Sequence, residues 1–297
     1  MAAGGIEAIA SVTCPSMARF PNPLVSSEWL TAHRDEVVVA DVRSYLDGRS
    51  GRAAFEVGHI PGAVFVDLDR DLSGDGDATA GRHPLPSPEA FAEAMAAAGV
   101  GDHDAVVAYD DSGGGTAGRL VWMLRVLGRD AALLDGGLRA WEGATEAGPS
   151  SERAKAAFTP TPWPPASLAG ADEVAALAAT GGAAVLDARA PERFRGETEP
   201  VDRLAGRIPG ARNLPWTANL DRDTGRFLGR DELRAGFAAV GVDEDTPVVA
   251  YCGSGVSACA DLLALEAAGL PPGRLFVPSW SGWSADPARP VATGTDG

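Results

Sequence analysis

Lysine is almost missing from this chain: among 25 basic residues in 297, the one lysine is Lys155. Acidic residues number 41, which leaves a formal net charge of -16. So acidic a chain has no overall field to hold nucleic acid or an anionic membrane surface, and neither is expected as a partner. A single pocket can still be locally positive. No apolar run approaches the length that crosses a bilayer. Cysteine is sparse as well, with only Cys14, Cys252 and Cys259. Three thiols make no disulfide framework, and the expected compartment is a reducing cytoplasm. Residues 1–20 lack a basic n-region and a long apolar core, which argues against a secretory signal. That stretch reads as a flexible tail, with Met17 as an alternative start and Cys14 as inert. Histidine occurs four times (His33, His59, His83 and His103), always in the first half.

What is present is a repeat. "VVVADVRS" (37–44) resembles "AAVLDARA" (183–190), each an apolar run that ends in Asp-x-Arg. "GHIPGAVFVDL" (58–68) matches "GRIPGARNLPW" (206–216), and "AVVAYDDSGGGTAG" (105–118) matches "PVVAYCGSGVSACA" (247–260). "LLDGGLRAW" (133–141) lines up with "FVPSWSGW" (276–283). Four blocks in one order, twice, indicate a duplicated domain. The Pro- and Ser-rich stretch between them reads as an extended linker. The expected division is a tail at 1–20, domains at 21–147 and 166–293, and a linker at 148–165. Apolar runs such as "DAVVAY" and "TPVVAY" do not alternate, which suits parallel strands covered on both faces. Helical stretches follow them: Ser87 and Pro88 open one that Gly99 closes, and Gly241 closes its counterpart. The expected fold is α/β, two tandem domains, each with a central parallel sheet flanked by helices.

The singular feature is "YCGSGVSA" (251–258), where a thiol follows a strand end in a loop of small residues. Ligands of parallel sheets bind beyond the carboxyl ends of the strands. Gly253 and Gly255 let the loop curl with its amides turned inward, and a helix starting near Ser257 adds its positive end. A thiol so placed is expected to be a partly exposed, reactive thiolate. Cys259, further into the helix, reads as a small buried hydrophobe. A Cys–His dyad local to the second half is impossible, since that half has no histidine. Zinc-site spacing is absent. A phosphatase loop of the Cys-x5-Arg type would need arginine where Ala258 stands.

The paired "GHIPGA" and "GRIPGA" blocks, the Asp-x-Arg strand ends and the "CGSGVSA" loop together resemble the two-domain rhodanese family of sulfurtransferases, from about Pro21 to Ala292. The resemblance implies an enzyme whose second domain alone is catalytic and whose cysteine carries a persulfide, here Cys252. Asp110 stands in its place in the first half. The loop Cys252-Gly253-Ser254-Gly255-Val256-Ser257 is similar to that of members that use 3-mercaptopyruvate. Thiosulfate-preferring members carry Arg and Lys after the cysteine, and thiosulfate is the alternative donor. Gly253, Gly255, Val256 and Ser257 would shape the donor site. By the same resemblance Arg193 holds the donor carboxylate; Arg203, nearest to the family's Glu-Pro-Arg position, is the candidate second arginine. His59 and Ser254 would form an interdomain relay, with Asp47 as a candidate third member, and Asp187 would order the site. Neither metal nor organic cofactor is implied. The acceptor would be cyanide or a thiol such as thioredoxin. A binding module or non-enzymatic sulfur carrier is the reading from another class.

Overall fold

A computed structural model of the chain describes residues 20–149 and 153–294; Cys14 and Met17 lie outside the described residues. The first half forms a five-stranded sheet in the order β1-β5-β4-β2-β3: β1 Leu24–Val25, β2 Val38–Asp41, β3 Val64–Phe65, β4 Val106–Tyr109 and β5 Ala131–Leu134. The second half forms a four-stranded sheet in the order β7-β6-β8-β9: β6 Ala184–Asp187, β7 Arg212–Asn213, β8 Val248–Tyr251 and β9 Arg274–Leu275. A lone bridge from Leu168 to Leu275 stands where β1 would pair. Every strand pair is parallel. The central strands β2, β4, β6 and β8 are buried at every residue, as non-alternating apolar runs require. The helix Pro88–Ala97 starts on the Ser87 hydroxyl, which accepts from the Ala90 amide, and Gly99 follows it at φ +73°. Its counterpart Arg230–Ala239 is followed by Gly241 at φ +72°.

The repeated blocks have a common physical purpose. Asp41 at the end of β2 holds Arg43 through two carboxylate oxygens, and Arg43 Nη2 donates to the Gly58 carbonyl at 2.8 Å. Asp187 and Arg189 repeat this at the end of β6, with Arg189 Nη2 donating to the Gly206 carbonyl at 2.7 Å. Each buried pair clips a strand end to the following Ile-Pro-Gly turn. Removing one member would strand a buried charge, at a cost of about 3–5 kcal/mol.

The halves share a core. Helix Ala117–Val126 of the first packs on helix Ala258–Ala267 of the second, and one apolar cluster runs from Val38 through Leu120 and Leu263 to Leu275. Residues 153–164 cross the first half without helix or strand, anchored by Phe158 against Phe91 and by Trp163 Nε1 donating to the Pro86 carbonyl. Two loops are exchanged across the interface. Residues 79–83 lie on the second half, where the Arg82 amide donates to Ser281 Oγ. Residues 220–227 lie on the first, where the Phe227 amide donates to Asp135 Oδ1 at 2.7 Å. Each half thus covers the loop that follows the other's central strand. Among the described residues no helix is long and apolar enough to cross a membrane.

Candidate active site

Cys252 begins the loop between β8 and the helix Ala258–Ala267. Its backbone is fixed on both sides: its amide donates to Ser279 Oγ at 3.1 Å, and its carbonyl accepts from the Trp280 amide at 2.9 Å. Ser279 has φ +52°, the one positive value at a non-glycine among the described residues. Its counterpart in the first half is Gly137, at φ +60°. A side chain in that region costs on the order of 1–3 kcal/mol. Serine returns part of this, because its hydroxyl ties down the residue that carries the thiol. Within the loop, Gly255 takes φ +76°, where a Cβ would sit 2.5 Å from the Val277 carbonyl oxygen.

The first half shows what such a loop holds. Asp110, in the position of Cys252, turns its carboxylate back to accept from the amides of Ser112, Gly114, Thr116 and Ala117, at 2.8 to 2.9 Å. The loop is therefore an anion nest at a helix N-terminus, filled there by the protein's own carboxylate. In the second half the corresponding loop, one residue shorter and with the single left-handed glycine Gly255 in place of Gly113 and Gly114, carries a thiol. A thiolate or a persulfide is the anion that fits.

A cavity of about 340 Å³ opens between the two halves above Cys252. The second half contributes Arg193, Trp216, Gly253, Ser254, Val256 and Ser257, and the first contributes Leu46, Leu68, Arg82, His83 and Thr116. A larger groove, about 430 Å³, runs between Trp122 and Leu263 but has neither thiol nor histidine on its walls. The thiol is less exposed than the sequence suggests: Cys252 is 2 % accessible, in a cavity whose wall includes Arg82 and His83 of the exchanged loop. Cys259 lies buried in the helix, its Sγ directed to the Gly255 carbonyl, and burial pushes its thiol well up. It is poorly suited to nucleophilic work.

The histidine at this site is His83. Its Nδ1 lies 2.8 Å from Ser254 Oγ, and its Nε2 lies 3.1 Å from Asp69 Oδ1. Burial and the nearby Arg119 guanidinium hold its pKa below the usual 6.5. The ring is therefore neutral at pH 7. With Nε2–H donated to Asp69, Nδ1 is free to accept from the serine hydroxyl. Arg119, fully buried in the first half, fastens this assembly, donating to the carbonyls of Leu72, His83 and Pro84 and, at 2.9 Å, to that of Gly255.

These observations correct the expected relay. His59 is wholly buried away from the cavity: it stacks on Phe55 with centroids 3.7 Å apart, its Nδ1 faces the Phe55 carbonyl, and its Nε2 faces Glu146. Arg207, its counterpart, lies over Phe194 in the same manner, with its guanidinium carbon 4.6 Å from the ring centroid. The position supports the turn in both halves. Asp47 is exposed and pairs with Arg49. Asp187 faces Arg189, whose own position on the cavity wall it sets.

Arg193 reaches the cavity beside Gly253. Arg203 does not line the cavity and is exposed; the chain turns outward after Asp202, whose amide donates to Glu199 Oε1. The second guanidinium at the cavity is Arg82, ion-paired with Asp202. Lys155 lies exposed in the linker.

The model of the rhodanese-like domain matches the chain twice, over residues 26–144 and 170–286. The chain belongs to the rhodanese family. It is a tandem rhodanese in which one domain carries a thiol in the loop and the other a carboxylate. A Pseudomonas aeruginosa protein named "Probable 3-mercaptopyruvate sulfurtransferase" is 45% identical over 282 residues, covering 91% of this chain and 98% of its own. A Mycobacterium tuberculosis protein, provisionally named thiosulfate sulfurtransferase SseB, is 42% identical over 264 residues, covering 88% of this rhodanese and 92% of its own length. The crystal structure of SseA from Escherichia coli, described as a 3-mercaptopyruvate sulfotransferase, superposes with a TM-score of 0.77 at 34% identity, covering 87% of this chain and 99% of that one.

Proposed function

We propose that this tandem rhodanese is a sulfurtransferase enzyme that moves sulfur from 3-mercaptopyruvate to a thiol or cyanide through a persulfide on Cys252. The observation that carries the reading is the chain Asp69–His83–Ser254 beside a thiol seated in an anion nest. That chain is a proton path, and mercaptopyruvate needs one whereas thiosulfate does not.

In the first step the Cys252 thiolate attacks the donor's sulfur. The new S–S bond forms as the C–S bond breaks, and the bonding pair leaves with carbon as the enolate of pyruvate. Ser254 takes the donor thiol's proton as it passes its own to His83 Nδ1, and the imidazolium so formed faces Asp69. The proton then returns through Ser254 to the enolate, so no net proton is consumed. Arg193 holds the carboxylate with a forked pair of N–H groups. Loop amides and the helix N-terminus stabilise the persulfide anion. In the second step an acceptor thiolate or cyanide takes the outer sulfur and Cys252 leaves as thiolate. A reducing compartment, the cytoplasm, suits a mechanism that depends on a free thiol, and Cys252 and Cys259 are unpaired. A thioredoxin-type dithiol is a suitable acceptor there.

One observation favours thiosulfate as a second donor: Arg82 brings another cation to the loop, where the sequence showed only Gly253 and Ser254. Its pairing with Asp202 offsets that charge. Pyruvate release from mercaptopyruvate, compared with sulfite release from thiosulfate under one cyanide concentration, decides between the donors. A carrier without turnover would release neither catalytically.

A further inference from the structure

Asp261 is a buried carboxyl group that the proton path does not use. It stands in the first turn of the helix Ala258–Ala267, directly after the Cys252 loop, and is 1 % accessible. Its Oδ1 accepts from Asn219 Nδ2 at 2.7 Å, and its Oδ2 has no hydrogen-bond partner among the described residues. The elements packed on this helix direct their cations elsewhere. Arg119, from helix Ala117–Val126, donates to backbone carbonyls of which the nearest to Asp261 in sequence is Gly255, and Arg125 of that helix pairs with Glu266 at the far end. Arg230 and Arg234, from helix Arg230–Ala239, reach the Ala268 carbonyl at the same far end, and Arg274 of β9 pairs with Glu173. What Asp261 meets instead is Cys252 just past β8, Asp187 at the end of β6 and Cys259 beside it, each negative when ionised. Burial first, and then Cys252 and Asp187, push the Asp261 carboxyl well above the usual carboxylate range. An ionised carboxylate in such a place needs a cation or several donors, and this one has a single amide. A first helical turn ordinarily favours a carboxylate, but here the positive end of the helix serves the anion on Cys252.

The partner of Asp261 has a task at the cavity. Asn219 ends the turn Trp216–Asn219, and Trp216 lines the cavity so close to the first half that a Cβ on Gly115 would lie 2.9 Å from two of its ring carbons. The Asn219 carbonyl accepts from the Leu228 amide at 2.9 Å, which closes residues 220–227, the loop laid on the first half. The Asn219 side chain ties both to the helix through Asp261. We infer that Asp261 is a positioning residue that works as the un-ionised acid: it fastens the Trp216 turn to the helix behind Cys252 without setting a second negative charge beside the sulfur anion. The inference rests on the reading of Cys252 as the sulfur carrier. Like charges in a dry interior repel far more than in water, so an ionised Asp261 would oppose both the thiolate and the persulfide. The converse also holds, and an anion on Cys252 keeps the proton on Asp261.

Asp261→Asn and Asp261→Ala in the full chain test this. An infrared difference spectrum at neutral pH, unaltered chain minus Asp261→Asn, should show the C=O stretch of a protonated carboxylic acid, which an ionised carboxylate lacks. Alkylation by iodoacetamide, read at Cys252 by fragment-ion mass spectrometry, should run at the same rate within about twofold in these two proteins, because the amide replaces a group already uncharged. Asp261→Asn keeps an acceptor for Asn219, so its mercaptopyruvate KM should stay within about twofold of the unaltered value. Asp261→Ala leaves the buried Asn219 amide without its partner and should raise that KM roughly fivefold or more. No carboxylic-acid band in the difference spectrum, or alkylation of Cys252 roughly tenfold faster in Asp261→Asn, would show an ionised Asp261 and overturn the inference. An unchanged KM in Asp261→Ala would overturn the positioning role. The spectrum and the alkylation use no sulfur donor, so their failure is distinct from failure of the sulfur-transfer reading, which falls if sulfur loads elsewhere than on Cys252.

Discussion

Replacing His83 with glutamine removes the proton acceptor and keeps a polar side chain of similar reach. The perturbed contact is the 2.8 Å approach of Nδ1 to Ser254 Oγ. Loss of a positioned acid–base group costs about 10²- to 10⁴-fold in rate, equivalent to roughly 3–5 kcal/mol of barrier. Asp69 should matter much less: its side chain is 78 % exposed, so Asp69→Asn should cost less than about fivefold. The pH dependence carries the sharper test. Burial and Arg119 hold His83 below 6.5, so the neutral, accepting ring persists under mildly acidic conditions. The acid limb of kcat/KM for mercaptopyruvate should therefore lie below 6.5, and activity should be lost as pH falls through the depressed value. In His83→Gln this limb should vanish along with most of the rate. Thiosulfate offers the internal control, because its attack by thiolate releases sulfite and requires no proton transfer. Sulfur loading from thiosulfate should fall far less in His83→Gln than loading from mercaptopyruvate. An acid limb that survives in His83→Gln, or equal losses with both donors, would refute the proton path.

Arg193→Ala should raise the mercaptopyruvate KM by roughly tenfold to a hundredfold, whereas exposed Arg203→Ala should leave it within about twofold; initial rates across donor concentration separate the two. Ser279→Ala removes the hydroxyl that the Cys252 amide donates to but keeps the strained backbone, and thermal unfolding should show a loss of about 1–2 kcal/mol. Ser279→Gly relieves the strain as it removes the same bond, so it should unfold at a higher temperature than Ser279→Ala. Folding stability should also fall at low pH on account of His83. Its folded pKa is depressed, so its contribution is complete above the free value of 6.5 and is lost as pH drops through the folded value, which denaturant titration at several pH values measures.

How much of this was legible in the sequence depended on whether a residue's purpose is local. Asp41 and Asp187 announce themselves because each serves an Arg two positions on, and that spacing recurs with the duplication. The helix stops at Gly99 and Gly241 are local backbone demands, and both were readable. The Cys252 loop was readable for the same reason: strand end, small residues and helix start lie in one stretch. His59 misled because the most conspicuous repeated block contains it. Its counterpart Arg207 packs on a phenylalanine in the same manner, and a position with equivalent packing in both halves, one of which lacks the thiol, serves the fold. His83 and Arg82 stand in a segment that the four repeated blocks leave out. The segment's purpose is to reach the other half, and contacts such as His83 with Ser254 join residues 171 positions apart. No local pattern encodes such a pairing. Divergence between the repeats was the available signal: a loop that differs while its flanks are duplicated has a task of its own. Arg203 fell outside the site although it directly follows Arg193's partner Asp202, because the chain turns outward there and leaves it exposed, a matter of register rather than of charge.

The central claim is that sulfur passes through Cys252. Intact-mass spectrometry after exposure to mercaptopyruvate without acceptor, followed by peptide mapping, tests it most directly. The account predicts one added sulfur, on the peptide that holds Cys252, released by cyanide as thiocyanate, with Cys252→Ser neither loading nor turning over and Cys259→Ser doing both. Sulfur found on Cys259, or pyruvate still released by Cys252→Ser, would contradict it.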